Sequence, residues 1–432
     1  VGALLSKFAI ILAVLIGSQA LALDQKASEA ANLQKSQLAS QGFFDGNRVK
    51  SDLENNGMLV SHRLSGHSGL EWPKGSRKYS VYAAGPWIIG KVNGELRSAI
   101  TDYAPEFTAG PWGSDGTDSS DVLYKVNQLD IYDPAINPDF ANWPTQAGAP
   151  WVDVDEDGQY NPMPNGVDHP DFLGDQVMYY VMNDGIADDH RVFNTEPLGI
   201  EVRVTIWGYD RQDVFGDAMF VKFQIFNKGG NEIEDMYFGA WADPDLGDAG
   251  DDFVGCDTSL ALGYCYNDGE DRIYQPDPAP AVGIQFLQVA APTHDLSQQA
   301  YCFGDMQTGF QDLGMTSFIK YIGGDDIYSD PNDVLEGFNY LRGYNRVGNP
   351  FLNSATGDST KFVHSDDPNL NIDRNDLIWV DSDDNPSDDR RFLMGSGPFH
   401  MSAGDSAEVV LVLMHGQGAN ANNSVTTLKQ IA

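Results

Sequence analysis

Glycine and proline interrupt the chain every few residues from Phe43 onward, and this spacing constrains the fold more than any other feature. The 432 residues include 45 glycines and 22 prolines. In a helix interior, glycine costs roughly 1 kcal/mol and proline roughly 3 kcal/mol relative to alanine. Long helices are therefore excluded from this region, and the stretches between the interruptions have the length of β-strands joined by turns.

Three stretches in the middle of the chain, 201–209, 218–226 and 236–241, carry β-branched and aromatic residues in partial alternation, which favours strands. Asn93-Gly94 predicts a tight hairpin, because both central positions of a type I′ turn need positive φ. Residues 397–414 read as a strand, a turn and a strand. This pattern of short strand-like segments separated by turns predicts a mainly β fold, an antiparallel β-sandwich of immunoglobulin or fibronectin type with long loop insertions, plus a β-rich N-terminal part.

The first residues predict export. Lys7 precedes an apolar run over 8–16, and Ala20-Leu21-Ala22 follows as a small-residue cleavage pattern, which is typical of a secretory signal peptide. The apolar run is shorter than the roughly 20 residues of a membrane-spanning helix. We expect cleavage after Ala22, and an uncleaved membrane anchor is the alternative.

The remaining length is sufficient for two or three domains with their own cores. Residues 24–40 lack glycine and proline, which favours a short helix, and a last helix is expected from Ser424. The predicted organisation is a signal peptide over 1–22, a helical or flexible tether over 23–42, a β-rich N-terminal domain over 43–195, and a β-sandwich domain over 196–432 with a loop-rich insertion over 243–395.

Acidic residues outnumber basic ones by 63 to 26, which gives a formal net charge of −37. Nucleic acid and anionic membranes would be repelled by this charge within a Debye length of about 8–10 Å, so both are excluded as partners. Cations are the expected partners. General adaptation to salty surroundings stays open as another cause of the charge.

The most specific local pattern is an aspartate-rich loop that begins at Asp153. Calcium takes six to eight oxygen ligands, and carboxylates at alternate positions of a tight loop can meet on one ion when a glycine permits the turn. Pro164 stands where an EF-hand has its closing acid, and the flanking prolines exclude helices on either side. A solvated acidic turn is the alternative. The predicted calcium ligands are Asp153, Asp155, Asp157, the backbone carbonyl of Gln159, and Asp168 as the closing residue.

A second acidic cluster follows the predicted strand 236–241. Its carboxylates would repel one another unless a divalent ion neutralised them, so calcium is predicted here as well. Exposed repulsion and a catalytic acid pair are the alternatives. The predicted ligands are Asp243, Asp245, Asp248, Asp251, Asp252 and Asp257. A third cluster over 381–389 lies beside Arg390 and Arg391, and salt bridges explain it as well as a metal does.

Three cysteines are too few for a disulfide framework or a zinc cluster. Cys256 and Cys265 are close enough in sequence to close a short loop in an exported chain, which would leave Cys302 unpaired. The alternative is three buried thiols that act as small apolar side chains.

Common catalytic motifs are missing from the sequence, which contains no His-Glu-x-x-His, no Gly-x-Ser-x-Gly and no phosphate-binding Gly-x-x-x-x-Gly-Lys-Ser. A polysaccharide hydrolase needs only two carboxylates about 5–9.5 Å apart, so it stays open as an alternative. Glu71 beside Trp72, and Glu106 near Trp112, are acids next to aromatic residues of the kind that line sugar sites.

Several stretches together resemble a poorly characterised group of large secreted bacterial proteins that often carry a C-terminal type IX secretion sorting tail. The resemblance covers most of the chain after the leader and implies export to the cell surface, without a known activity; no such tail is visible in these residues. The stretches are 55–57, 69–76, 84–90, 152–155, 243–248, 255–258 and 394–399.

The sequence thus predicts an exported calcium-binding protein of the cell surface or extracellular space, with an adhesive, surface-layer or structural role. Its expected partners are calcium ions and, beyond them, surface glycans or other secreted proteins. A secreted polysaccharide hydrolase is the alternative.

Overall fold

The structure, a computed structural model, describes residues 40–61, 66–133, 135–322, 328–369 and 378–432. The predicted signal peptide and nearly all of the predicted tether lie outside the described residues. Within the described ranges, no helix has the length and apolar character needed to cross a bilayer.

A small four-stranded sheet opens the described part of the chain. It consists of β1 (Gln41–Phe44), β2 (Lys50–Glu54), β3 (Leu70–Glu71) and β4 (Tyr79–Val81), in that order and antiparallel. Because β1 begins at Gln41, the predicted tether boundary at residue 42 falls inside a strand.

Twenty-one more strands follow within the described residues. They are β5 (Ala83–Val92), β6 (Glu95–Ile100), β7 (Thr108–Ala109), β8 (Tyr124–Asn127), β9 (Trp151–Val152), β10 (His169–Pro170), β11 (Gln176–Asn183), β12 (Ile200–Gly208), β13 (Ala218–Asn227), β14 (Ile233–Asp243), β15 (Asp252–Asp257), β16 (Leu262–Asn267), β17 (Ala281–Pro292), β18 (Gln299–Cys302), β19 (Asp305–Thr308), β20 (Phe310–Asp312), β21 (Ser317–Ile322), β22 (Phe351–Leu352), β23 (Ser359–Thr360), β24 (Arg390–Met401) and β25 (Ser406–Gly416).

In the part of the chain that the structure describes, helices are short and few by comparison. The α-helices are α1 (Pro138–Ala141), α2 (Val334–Leu341), α3 (Asp381–Asp384) and α4 (Ala421–Ile431), and 3-10 turns lie at Gln128–Tyr132, Thr145–Ala147, Ala187–Asp189, Val214–Asp217 and Ala249–Asp251. The expected C-terminal helix is therefore present as α4, which begins three residues before Ser424.

Two large antiparallel sheets form the body of the molecule. The first has ten strands in the order β15-β16-β17-β25-β13-β12-β11-β7, with β20 paired to β17 and β8 to β11. The second has five strands in the order β21-β24-β14-β5-β6. Phe238 of the five-stranded sheet contacts Phe223 and Phe286 of the ten-stranded sheet, with ring centroids 5.3 and 6.1 Å apart. The predicted mainly β, antiparallel, sandwich-like class is confirmed.

The sheets mix early and late parts of the chain. The strands β5 and β6 pair with β14, and β11 pairs with β12, so the predicted domain boundary at 195/196 runs through both sheets. The predicted loop-rich insertion over 243–395 supplies β15, β16, β17 and β20 to one sheet and β21 to the other. These strands escaped the pattern analysis because β15 and β16 are almost wholly buried on both faces and do not alternate.

The predicted Asn93-Gly94 hairpin joins β5 to β6. Val92 faces Glu95 across the pair, and the φ angles of Asn93 and Gly94 are 54° and 82°. Both central residues thus have the positive φ that a type I′ turn requires.

A lobe formed by residues 128–172 covers the outer face of β11. Phe140 and Trp143 of the lobe pack with Val177, Tyr179 and Val181 of the strand in a core of their own. The acidic loop that begins at Asp153 belongs to this lobe, so a second small core supports it.

Candidate metal centre

The two ends of the acidic loop are held together by strand pairing. Val152 of β9 faces His169 of β10, which brings the neighbouring Asp153 and Asp168 to the same end of this two-stranded sheet. The Tyr160 hydroxyl donates a hydrogen bond to the Phe140 carbonyl at 2.6 Å, so the middle of the loop is anchored to the lobe.

Four carboxylates of this loop converge. One oxygen each of Asp153, Asp155, Asp157 and Asp168 lies within 4.8 Å of the other three. Asp168 is only 1% exposed, whereas Asp155 and Asp157 are exposed. The structure therefore brings together all four aspartates that the spacing predicts, with the buried closing residue beneath the exposed ones.

Backbone amides fix the orientation of these carboxylates. Asp153 accepts hydrogen bonds from the amides of Asp157 and Gly158, at 3.1 and 2.8 Å. Asp168 accepts from the amides of Val154 and Asn161, at 2.8 and 2.9 Å. The loop is thus wrapped around its own acids, and Gly158, with φ of 75°, takes the turn that the pattern predicts.

Gln159 and Asn161 complete the loop. The Gln159 amide donates to Asp157 at 2.7 Å, and a ligand role for its carbonyl stays a prediction. The Asn161 side-chain nitrogen donates to Asp157 at 3.0 Å, while its Oδ1 atom is buried without a hydrogen-bond partner. Sequence reasoning missed this residue, although an oxygen-bearing side chain at the ninth loop position was the available signal.

The stretch of sequence that contains this loop carries no lysine or arginine. No lysine or arginine occurs in the sequence between Lys125 and Arg191. The pKa of Asp155 is raised, by desolvation first and then by the charges of Asp157, Asp168 and Asp153. A bound cation would relieve this repulsion.

A second convergent group joins Asp243, Asp245 and Asp389, again with oxygens within 4.8 Å of one another. Asp243 ends β14 and Asp389 precedes β24, and these two strands are neighbours in which Ala242 faces Phe392. Strand pairing therefore brings an acid of the third sequence cluster to two acids of the second.

Arg391 and Tyr103 border this second group. The Arg391 Nε atom lies 3.5 Å from Asp243 Oδ1, and its Nη1 atom lies 3.1 Å from Asp389 Oδ2. The Tyr103 hydroxyl donates to Asp243 at 2.7 Å and accepts from Arg391 Nε at 2.7 Å. Burial raises the pKa of Asp243 to about 7 and that of Asp245 to about 6. Arg391 already supplies part of the charge that a metal would bring.

The other four predicted ligands of the second cluster lie outside this group. Asp248 pairs with Arg272, and Asp257 pairs with Lys429 at 3.4 Å. Asp251 accepts from the Asn267 side chain, and the buried Asp252 accepts from the Leu246 amide at 3.1 Å. Of the six aspartates predicted in this cluster, only Asp243 and Asp245 therefore belong to the convergent group, because β15 carries the chain away from Asp243 and each of the other four acids has its own partner.

In the third acidic cluster, Asp381 and Asp384 contact basic side chains, as Asp389 contacts Arg391. The buried Asp381 lies between Lys320 and Arg390. Asp384 contacts His364 Nε2 at 2.9 Å, and this contact helps to lower the Asp384 pKa to about 2 against the opposing effect of burial.

The predicted Cys256–Cys265 disulfide is absent, and all three cysteines are free and buried. Cys265 faces Val254 across the β15–β16 pair, and Cys256 faces Gly263. The two cysteines are thus diagonal neighbours, which lie about 7–8 Å apart at their Cα atoms. A disulfide bridges Cα atoms about 4.4–6.8 Å apart, so the register disfavours this bridge.

The acids beside aromatic residues have structural contacts. Glu71 accepts from the Arg77 amide at 2.6 Å. Glu106 is fully buried, with one carboxylate oxygen 3.9 Å from His190 Nδ1. Neither glutamate belongs to either of the two convergent groups described above.

No protein-family model matches the chain, and no curated protein is significantly similar to it.

Proposed function

We propose that this chain is an exported calcium-binding protein of the cell surface or extracellular space, with an adhesive, surface-layer or structural role. The observation that carries the proposal is the convergence of Asp153, Asp155, Asp157 and Asp168. Export is supported by the leader-like residues 1–22, and a cationic ligand is supported by the net charge of −37.

Calcium fits the loop better than softer metals. Its oxygen ligands lie at 2.3–2.6 Å, so two ligands of one ion are at most about 5 Å apart, and the four carboxylates satisfy this limit. The Gln159 carbonyl and the Asn161 amide oxygen would bring the ligand number to six, once the Asn161 amide flips so that its oxygen replaces the nitrogen that faces Asp157. The donors are all oxygens, the set that calcium and magnesium prefer over zinc or copper.

A bound ion would stabilise the loop and the lobe that carries it. With calcium near 10 mM and a Kd near 10⁻⁴ M, an extracellular value, binding contributes roughly 2.7 kcal/mol. It would tie the exposed turn at Asp155 to the buried Asp168, and thereby to the core beneath β9 and β10.

The test is a thermal melt of the chain from Leu23 in excess EDTA, repeated with calcium or magnesium restored. We expect Tm to rise by a few degrees with calcium and little with magnesium. Asp157→Asn should reduce the rise, whereas Asp188→Asn, an exposed acid elsewhere in the chain, should leave it unchanged. Identical melts in EDTA and calcium would refute the calcium proposal.

A secreted polysaccharide hydrolase is the second candidate, favoured by the Asp243 and Asp245 pair. The raised pKa values of these two acids, about 7 and about 6, suit a proton donor near neutral pH. Their oxygens lie within 4.8 Å, which is below the roughly 5–5.5 Å of retaining glycosidases, so we rank this function second. Glycan turnover by the native protein that is lost in Asp245→Asn would establish it.

A further inference from the structure

A groove of about 840 Å³ lies at one end of the sandwich, where the two large sheets meet. His294 and His400 both line it. His294 lies two residues after β17 of the ten-stranded sheet, and His400 lies within β24 of the five-stranded sheet. Their ring centroids are 5.6 Å apart. The fold thus places one imidazole from each sheet at the same groove, although 105 residues separate them in the sequence.

Glu232 adds a carboxylate to this pair. It directly precedes β14, whose Ile233 faces Met401 of β24. The Glu232 Oε1 atom lies 2.7 Å from His400 Nε2. The side chains of Glu232 and His400 are 58% and 29% exposed, and His294 is exposed, so all three can adjust their rotamers.

We propose that His294, His400 and Glu232 bind a transition-metal cation of the zinc or copper class. Imidazole nitrogen is a preferred ligand of these metals, and two histidines with one carboxylate form a common zinc set that leaves a fourth position open. This site uses none of the aspartates assigned to calcium, so it stands independently of the calcium proposal.

The rings lie near the positions that a tetrahedral ion requires, and binding requires His294 to turn towards His400, because the three donor atoms do not all lie within 4.8 Å of one another in the structure. With zinc–nitrogen bonds of about 2.0–2.1 Å, two imidazoles on one ion have ring centroids about 5.1 Å apart, close to the 5.6 Å observed. A nitrogen and a carboxylate oxygen on the same ion lie about 3.3 Å apart, so the 2.7 Å contact between His400 and Glu232 has to open by only about 0.6 Å.

The charge of the groove also favours a cation. Glu234, Asp235 and Asp405 line it with a single lysine, Lys91, whose ammonium is paired with Asp235 at 2.7 Å. A metal bound here would link the loop after β17 to β24, which connects the two sheets at their open end. Its fourth coordination position would be available to water or to a ligand oxygen.

The experiment is a titration of the full chain with Zn²⁺ by calorimetry, in saturating calcium so that the acidic loops are occupied. We expect one site, at least about tenfold weaker in His294→Ala, His400→Ala and Glu232→Gln. His67→Ala removes an exposed imidazole elsewhere and should bind like the native chain. Cu²⁺ provides a second readout, because nitrogen coupling in its electron paramagnetic resonance spectrum reports bound imidazoles.

The folding of each variant is checked by its melt without zinc, and the exposed position of His294 makes that variant informative in any case. Absence of a one-to-one site in the native chain would overturn the proposal. So would unchanged affinity in both histidine variants, or a Cu²⁺ spectrum without nitrogen coupling.

Discussion

The imidazole of His415 lies flat against the indole of Trp72, with ring centroids 5.0 Å apart and ring planes 4° from parallel. Trp72 directly follows β3 of the small N-terminal sheet, and His415 belongs to β25 at the centre of the ten-stranded sheet. The Ser80 hydroxyl lies 2.8 Å from His415 Nε2. All three side chains are buried, so this contact joins the small sheet to the body.

We expect His415 to make the fold sensitive to acid. Burial lowers its pKa from the ordinary 6.5 to about 4. Between pH 4 and pH 6.5, His415 therefore binds a proton in the unfolded chain but stays neutral in the folded chain. The free energy of unfolding keeps its full value above pH 6.5 and falls as the pH drops towards 4. The loss from this group is roughly 2 to 3 kcal/mol between pH 7 and pH 4.5.

The measurement for His415 is urea unfolding of the native chain and of His415→Gln across this pH range. Glutamine keeps polar contacts but does not titrate. The difference in free energy of unfolding between the two proteins should therefore shrink as the pH falls. A difference that stays constant with pH would contradict the assignment. Comparison by difference removes the contribution of His364, whose pKa burial also lowers.

Asp217 should anchor the small sheet by accepting hydrogen bonds from two of its neighbours. Arg48 Nε and Trp72 Nε1 donate to Asp217 Oδ1 at 2.7 and 2.9 Å. Asp217→Ala should lower the unfolding free energy by about 2 kcal/mol, because hydrogen bonds to a charged group contribute more than neutral ones. Asp210→Asn, at an exposed neighbouring acid, is the control for denaturant melts, and equal stabilities of the two variants would count against the anchor.

Asp381 should be the most costly acid to remove. Its buried carboxylate pairs with Lys320 and with Arg390 Nε at 3.1 Å, and it accepts from the Val254 amide at 2.9 Å. Asp381→Ala leaves two cations buried without their anion, which typically costs about 3–5 kcal/mol. Denaturant unfolding against the exposed Asp388→Ala tests this, and a loss below about 1 kcal/mol would mean that water compensates the cations.

The three cysteines should be unreactive in the folded chain and all reactive once it unfolds. Cys256, Cys265 and Cys302 are buried and unpaired, and burial raises the pKa of each thiol, to about 11 for Cys302. Iodoacetamide labelling followed by mass measurement should give no adduct in native buffer and three adducts in urea without reductant. A single adduct in urea would reveal a disulfide.

The first acidic loop was predictable because its chemistry is local. Asp153, Asp155 and Asp157 are two residues apart, and Asp168 lies within one short loop closed by β9 and β10. The sequence spacing of such residues largely determines how their carboxylates are arranged in space. Asn161 was accessible to the same reasoning but was overlooked.

The second group was predictable only in part because its members meet through strand pairing. Asp389 reaches Asp243 across the β14–β24 pair, and no local pattern encodes that register. Runs of aspartate also look alike whether the residue is exposed, as Asp388 is, or buried in an ion network, as Asp381 is. The histidines at the groove escaped notice for the same reason, since His294 follows a strand of one sheet and His400 lies in a strand of the other.

The central position of β25 in the ten-stranded sheet determines when this sheet can fold during synthesis. This strand lies between β13 and β17, and its partners span Ala218 to Ala290. Until residues 406–416 have been synthesised, both partners keep a row of unsatisfied backbone groups along one edge, however well the rest has formed. Cooperative folding of the ten-stranded sheet therefore has to wait until β25 has left the ribosome, and a nascent chain that ends before this strand exposes the unpaired edges of β13 and β17 to chaperones.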